Sequence, residues 1–558
     1  MRDAFATHAV FNQSPPFEDI NLFASDAALA EAVEREGGGG KAQRLAAFGA
    51  ICGSAEAFAL GRLANENPPR LKTFDGKGRR LDTVEFHPAY HQLMEISTGE
   101  GLHASAWDHL AEGAAVPQAG ANVARSAGCY MAAQMEAGHQ CPITMTNAAV
   151  STLRLEPSLA AFWIPKILAR AYDKSFRPAT AKAGVTIGMG MTEKQGGTDV
   201  RANTTTAEAA AGGGPGTEYL ITGHKWFLSA PMCDAFLVLA NAPRGLSCFL
   251  MPRFLPDGSV NRLIFQRLKD KLGNRSNASA EVEFQRAHAW LIGEEGRGVA
   301  TIIEMVTLTR LDCAVASAGL MRLAVANAIL HCRHRSVFAK RLIDQPLMLQ
   351  VLADLALAVE AATALAFRLA RSFDRAADRH AAAWRRLMTP VTKYFVCKIG
   401  PAIVYEAMEC LGGNGFVEES GLPLLYRDAP LNSLWEGSGN VAALDVLRAM
   451  VKEPEGLPAF LAECELAECG DARLDRHLER VRDQAASLPG LEDPQFEARR
   501  IVENLAVALQ ASLLVRFSTS EVADAFCAAR LNGEGGRVYG TLPSGVDAKA
   551  IIERAFPL

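Results

Sequence analysis

The sequence lacks several features that mark whole classes of protein. Its formal net charge is only −5, so nothing overall indicates a nucleic-acid coat or a membrane-surface protein. No apolar run approaches the roughly 20 residues that span a bilayer. The first residues, Met-Arg-Asp-Ala-Phe-Ala-Thr-His, lack the apolar core of a signal peptide. A soluble cytoplasmic protein without a membrane partner is the simplest expectation.

Paired cysteines are also missing. The 12 cysteines are scattered from Cys52 to Cys527, and none forms a Cys-x-x-Cys pair. The closest two, Cys464 and Cys469, lie in an acidic helical stretch. Free, mostly buried thiols in a reducing compartment explain this pattern better than zinc or disulfides, and no metal site is expected.

Helical and strand-like textures alternate along the chain. Ala-rich and Leu-rich periodic runs predict helices before about residue 180, after an extended arm of some 25 residues. Period-2 stretches at 218–222, 235–240, 247–251 and 280–284 predict an antiparallel sheet. Helices are predicted again at 299–337, at 347–378, and from a cap and first residue at Thr389-Pro390 to Gly412-Gly413. The predicted divisions are an N-terminal arm and helical domain (1–183), an antiparallel β domain (184–296), a helical bundle (297–450) and a C-terminal helical extension (451–558).

One glutamate has an informative setting. Glu436 follows Trp435 and precedes a glycine-rich turn in the segment RDAPLNSLWEGSGN, residues 427–440. A carboxylate desolvated by such surroundings has its pKa raised toward the operating pH, which suits a general base. The alternative is a loop glutamate that caps a helix beginning near Ser438.

A second segment lies far upstream, MTEKQGGTDV at residues 191–200. Its Gly196 and Gly197 permit a tight turn and close backbone approach. Alone it is an ordinary Gly-Gly turn. In this order and at about this distance, however, the two segments resemble the flavin loop and the base loop of acyl-CoA dehydrogenases. The resemblance implies an FAD enzyme in which Glu436 takes the α-proton of an acyl-CoA thioester and a hydride leaves the β-carbon for the flavin.

The same resemblance implies the fold and the site residues. The fold class is α+β, with an N-terminal helical domain, an antiparallel β domain and a four-helix-type bundle, here followed by an extra helical extension. Arg310 matches the family's arginine near the catalytic glutamate, with a structural salt bridge to Asp312 or Glu304 as the alternative. Trp226 is expected beside the flavin ring, with a core tryptophan as the alternative. The expected flavin contacts are Met191, Thr192, Gly197, Thr198, Trp226, Phe227, Leu228, Leu434, Trp435, Gly437, Ser438, Gly439 and Asn440.

Two further elements resemble those with which a neighbouring subunit grips the adenylate half of FAD. They imply a homo-oligomer, expected to be a tetramer. Ala339 and Glu409 depart from the family's usual glycine and glutamine, and a solvated helix end is the alternative for Arg335. The expected adenylate contacts are Arg335, Phe338, Gln345, Gly412 and Gly413.

A narrower resemblance is to the AidB-like, alkylation-response branch. It is carried by the segments at 188–197, 268–279 and 432–440, and by shorter ones such as CPITMT at 141–146. The branch implies weak activity on short or branched acyl-CoA of the isovaleryl type. Its alternative is a protective flavoprotein that binds double-stranded DNA through the C-terminal extension. Residues 451–558 carry a net charge of −6, which disfavours duplex binding.

Overall fold

The computed structural model describes residues 7–557. The expectation that the chain has no signal peptide rests in part on residues 1–6, which lie outside the described residues. The arm from residue 7 is extended and lies on the bundle, where the Asn12 side chain exchanges two hydrogen bonds with the Ser336 backbone at 2.7 and 2.8 Å. The helices before the sheet are α1 (Ala27–Arg35), α2 (Ala42–Cys52), α3 (Ala55–Glu66), α4 (Pro88–Glu100), α5 (Asp108–Ala111), α6 (Ala121–Met135), α7 (Gln140–Leu153) and α8 (Pro157–Leu168).

A small hairpin interrupts these helices where the sequence predicted only loops. Strands β1 (Arg70–Phe74) and β2 (Arg80–Glu85) pair in antiparallel register around the turn at Gly78. Their side chains are mostly exposed or partly buried, so the apolar alternation that would announce a strand is weak.

The middle of the chain forms a seven-stranded sheet. Its strand order is β3-β5-β4-β6-β7-β9-β8, and most pairs are antiparallel, although β3 runs parallel to β6. The predicted strands are present, and β3, β4 and β8 were not predicted, since two of them are only four residues long. The strands are β3 (Ile187–Gly190), β4 (Thr206–Ala209), β5 (Glu218–Ser229), β6 (Ala235–Ala242), β7 (Gly245–Pro252), β8 (Leu263–Leu268) and β9 (Ser279–Ile292).

Three long helices form the centre of the bundle: α9 (Gly298–His334), α10 (Pro346–Asp374) and α11 (Arg379–Cys410). The predicted helix start at Thr389-Pro390 is wrong, because α11 begins eleven residues earlier, at Arg379, and passes through both Pro390 and Pro401. Tertiary packing keeps the helix continuous, since most of α11 around Pro390 is buried. A two-residue hairpin, β10 (Ser336–Val337) and β11 (Lys340–Arg341), joins α9 to the turn before α10.

The expectation about apolar runs also needs correction. Helices α9 and α10 are long and apolar enough to cross a membrane, with mean hydropathy of 1.7 and 1.6 over their most apolar windows. Those windows are 89% and 72% buried by the protein itself, so their apolarity is used in the bundle core.

Short helices and the extension complete the chain. The apolar residues of the extension join the same core cluster as the bundle, so the two pack as one body. The remaining helices are α12 (Gly413–Phe416), α13 (Leu422–Asp428), α14 (Leu431–Leu434), α15 (Gly439–Lys452), α16 (Gly456–Cys464), α17 (Ala472–Ser487), α18 (Ala498–Phe517), α19 (Ser520–Phe526), which continues into a π-helix (Cys527–Leu531), and α20 (Ala548–Ala555). All 12 cysteines are free thiols, and only Cys469 is exposed.

Candidate active site

Glu436 lies in the short loop between α14 and α15. Its backbone is in the left-handed region, with φ of 57°, which is uncommon for a residue with a side chain and marks a position held by its surroundings. Its Oε2 atom is shielded from solvent and has no hydrogen-bond partner in the described chain. Burial raises the pKa of this carboxyl above its ordinary value, against the opposing effects of Thr309, Arg310 and Lys393. A shielded carboxyl with a free oxygen has the properties of a general base.

Arg310, on α9, holds the loop through its backbone. Its Nε donates to the Glu436 carbonyl oxygen at 2.9 Å, while Nη1 pairs with Asp445 at 2.7 Å. The alternative of a salt bridge with Asp312 or Glu304 is not what forms, since Asp312 is paired with Arg125 at 2.7 Å. Arg310 therefore positions the base loop, and its guanidinium is neutralised by Asp445 on α15.

Lys393, on α11, is a second cation under the loop, and it is not among the residues predicted from the sequence. It is 1% exposed, and its Nζ donates to the Ser433 carbonyl at 3.1 Å and to the Gly437 carbonyl at 2.5 Å. These two carbonyls bracket Glu436. The available signal was a lone lysine in the apolar part of α11, a position where an unpaired charge is costly.

The loop at 191–200 is held by another glutamate. The carboxylate of Glu193 accepts from Lys225 Nζ at 2.8 Å and from the backbone N–H groups of Thr204 and Thr205. A Cβ added to Gly197 would lie 2.4 Å from the Thr192 hydroxyl, so the turn requires glycine there. The Thr198 side chain is exposed next to this turn.

Trp226 follows Lys225 on β5, and its backbone N–H donates to the Thr192 carbonyl at 2.8 Å. Its indole ring faces the Lys269 ammonium, which lies 3.2 Å from the ring centroid. Phe227 is 44% exposed on the adjoining surface. The Leu228 side chain is fully buried in the sheet core, so the predicted contact of Leu228 with the flavin is not made by its side chain.

Each of the two loops places an apolar side chain on the same core cluster. Trp435 and Met191 both pack against the apolar core of the sheet. The Trp435 Nε1 atom, like Glu436 Oε2, is buried without a hydrogen-bond partner in the described chain. Buried polar atoms left open in this way are what a bound cofactor or substrate satisfies. The residues here therefore fit a flavin, with Thr192, Trp226 and the Trp435 indole as its nearest candidates.

The residues that follow the base have different surroundings. Ser438 precedes α15 without a side-chain capping bond, and Leu434 is 64% exposed. The carboxamide oxygen of Asn440 accepts two bonds, at 2.7 and 3.0 Å, from Arg499 of α18. The extension therefore reaches the base loop, and only the Asn440 amide nitrogen remains for a cofactor. Buried Gly439 lies beneath this contact.

The predicted adenylate contacts gather at the α9–α10 end of the bundle and at the end of α11. Arg335 Nη1 donates to the Asn12 carbonyl of the arm at 2.7 Å, and Gln345 donates to the Val337 carbonyl at 3.2 Å. Phe338, at the hairpin tip, is 97% exposed with φ of 50°. A Cβ on Gly412 or Gly413 would meet no neighbouring atom. These polar contacts are local or to the arm, and the outward face is open.

Comparison with known proteins defines the class to which this fold and site belong. The AidB N-terminal domain model matches residues 12–174, and the acyl-CoA dehydrogenase middle and C-terminal domain models match residues 188–287 and 296–451. The chain belongs to the acyl-CoA dehydrogenase family, in its AidB branch, and is an FAD-dependent oxidoreductase.

Individual relatives agree with this assignment. The chain is 48% identical to AidB of Escherichia coli strain K12 over 95% of each protein. It is 27% identical to the mitochondrial isovaleryl-CoA dehydrogenase of Oryza sativa over 48% of this chain and 63% of that protein. The crystal structure of Caenorhabditis elegans ACDH-11 in complex with C11-CoA superposes with a TM-score of 0.85 at 28% identity, covering 95% of this chain and 94% of that one.

Proposed function

We propose that the protein carries out α,β-dehydrogenation of a short or branched acyl-CoA of the isovaleryl type, at low rate, with Glu436 as the base. The observation that carries this proposal is the shielded, unpartnered Oε2 of Glu436 on a loop pinned from two helices. That oxygen would take the α-proton of the thioester. Bound FAD supplies the acceptor for the β-hydride.

Other residues of the chain position the base and the cofactor. Arg310 and Lys393 hold backbone carbonyls of the base loop and leave its carboxyl free. The Trp435 ring packs on the sheet core and helps to keep water from the base. The 191–200 turn, fixed by Glu193, would hold Thr192 and Gly197 beside bound FAD.

Support for the substrate class comes from relatives. One is an isovaleryl-CoA dehydrogenase, and another is seen with C11-CoA. The test is anaerobic addition of butyryl-CoA, isovaleryl-CoA and undecanoyl-CoA to the purified yellow protein. We expect isovaleryl-CoA to bleach the flavin fastest. Fastest bleaching by undecanoyl-CoA would contradict the branched-chain preference, and no bleaching by any of the three would contradict the dehydrogenase proposal.

We also propose that the protein acts as a homotetramer in the cytoplasm and serves the adaptive response to alkylation damage. The exposed Phe338 and the open Gly412-Gly413 surface support self-association, and the free buried thiols support a reducing compartment. Sedimentation of wild type and Phe338→Asp tests the assembly. A wild-type monomer with bound FAD would contradict it.

Duplex DNA binding is the second candidate, and the paired state of the extension's arginines weighs against it. Arg473 pairs with Asp471 and Asp524, Arg482 pairs with Glu465, and Arg499 binds Asn440. Truncation at residue 450 would expose the shared core, so charge reversal is the cleaner test. Binding of a duplex that weakens steeply with salt and on Arg500→Glu would favour this candidate.

A further inference from the structure

A cavity of about 370 Å³ lies between the bundle and the C-terminal extension. Its walls come from α10, α11, α18 and the segment from Phe526 to Tyr539. This volume falls within the roughly 300 to 1,000 Å³ of small-molecule pockets. The inner walls are apolar, and Val538 at the mouth is 70% exposed, which leaves the cavity open on that side. Its apolar lining includes Ala358, Ala361, Phe395, Ile399 and Phe526.

One buried polar side chain lines this cavity without a protein partner. Gln510, on α18, is 1% exposed and lines the cavity, and its carboxamide makes no side-chain hydrogen bond within residues 7–557. The amide therefore faces the cavity as a donor and acceptor that a bound molecule can use.

The charged lining residues are all cations. Lys398, Arg530 and Arg537 line the cavity, and no carboxylate does. Arg530 is paired with Asp354, whereas Lys398 and Arg537 have no ion-pair partner in the described chain. Burial raises the pKa of Tyr539 to about 12, so its hydroxyl stays protonated and can donate. The mouth therefore offers donors and positive charge above an apolar floor.

We propose that this cavity binds an amphipathic anion of the fatty-acid class, with its chain on the apolar floor and its head group beside Gln510 and Arg537. This site is separate from the acyl-CoA cleft. None of residues 435–440, which carry the base, lines the cavity. The inference goes beyond the proposed dehydrogenation and does not depend on Glu436.

The test is calorimetric titration of the FAD-loaded protein with decanoate and with decanol, at constant salt. We expect decanoate to bind to one site per chain and decanol to bind about threefold more weakly, because decanol lacks the charge that an exposed arginine attracts. Gln510→Leu should weaken decanoate by about tenfold, the loss of a hydrogen bond to a charged group. Arg537→Glu, at an exposed position, should weaken it by about threefold.

Arg476→Glu is the matched control, because Arg476 is an exposed arginine of the same extension that lies outside the cavity. It should bind decanoate as wild type does. If Gln510→Leu fails to fold, Arg537→Glu carries the test alone. Equal affinity of wild type and Arg537→Glu, or release of FAD by decanoate, would overturn the proposal. A change in flavin absorbance with the same decanoate midpoint as the calorimetric titration would also overturn it, because the ligand would then lie in the acyl cleft.

Discussion

Glu193 and Glu436 are two glutamates on loops that pack on the same core cluster, and their surroundings are opposite. Glu193 is fully buried and accepts five hydrogen bonds, including one from Lys225. Its burial alone would raise its pKa, but Lys225 and the other donors bring the pKa well below the ordinary value. Glu436 keeps one shielded oxygen without a partner, and burial raises its pKa.

The difference teaches how to separate a structural carboxylate from a reactive one. Around Glu193, the donors are directed at the side chain. Around Glu436, the cations Arg310 and Lys393 bind backbone carbonyls instead, so the loop is rigid while the carboxyl stays available. The first arrangement stabilises a turn, and the second prepares a base.

The largest expected effect comes from Glu436→Gln. We expect turnover with an artificial electron acceptor to fall by about 10² to 10⁴-fold, the usual contribution of a general base, with FAD still bound. The free energy of unfolding should not fall, because a neutral amide replaces a carboxyl that is penalised when ionised. Turnover within a few-fold of wild type would show that another group takes the proton.

Glu193→Gln is expected to lower the free energy of unfolding, unlike Glu436→Gln. Removing this charge leaves the Lys225 ammonium buried without an ionic partner, which costs about 3 to 5 kcal/mol of unfolding free energy. Chemical denaturation measures the loss, and Glu283→Gln, a change at another β-domain glutamate, is a control. A variant as stable as wild type would mean that Lys225 sheds its proton cheaply, in line with its own pKa, which burial lowers to about 8.

A third carboxylate, Asp428 of α13, sharpens the comparison through pH. It is buried with one backbone donor, from Asn274 at 2.6 Å, and burial raises its pKa to about 7. The folded protein thus holds this proton more tightly than the unfolded chain does. Its ionisation therefore costs stability as pH rises from about 4 to about 7, and the cost is fully present above that range.

We therefore expect Asp428→Asn to stabilise the protein by about 2 to 3 kcal/mol more at pH 8 than at pH 5. The side-chain oxygen of asparagine can still accept from Asn274. Urea unfolding at the two pH values measures the difference. A stability gain that is equal at both values would show that Asp428 does not titrate in this range.

The smallest effect is expected for Arg499→Ala. Its guanidinium binds the Asn440 carboxamide at an exposed position, so we expect a loss of at most about 1 kcal/mol in stability. If the contact also orients the residues after Glu436, kcat should fall severalfold while the affinity for FAD changes little. Stopped-flow bleaching and flavin titration separate the two, and Arg500→Ala is the neighbouring control.

Local sequence determined much of this protein. The spacing of apolar residues changes along the chain and predicts helices, then a sheet, then helices again. Burial of one face imposes a repeat of 3.6 residues on a helix and of 2 residues on a strand. The Trp435-Glu436-Gly437 turn and the 191–200 loop were recognisable because their glycines and polar groups are required within a few residues. The hairpin β1–β2 and the strand β4 were not found, since their side chains are half exposed and carry little periodicity.

Only the tertiary structure decided which groups surround each carboxyl. Thr309, Arg310 and Lys393 act on the Glu436 carboxyl from α9 and α11, and no local pattern links them to it. Leu228 and Pro390 depend on tertiary structure in the same way. The register of the strand buries the Leu228 side chain, and packing keeps α11 helical through Pro390. Whether a glutamate is a structural carboxylate or a base depends on hydrogen-bond donors from distant segments of the chain. Desolvation and hydrogen bonding act through space and not along the sequence.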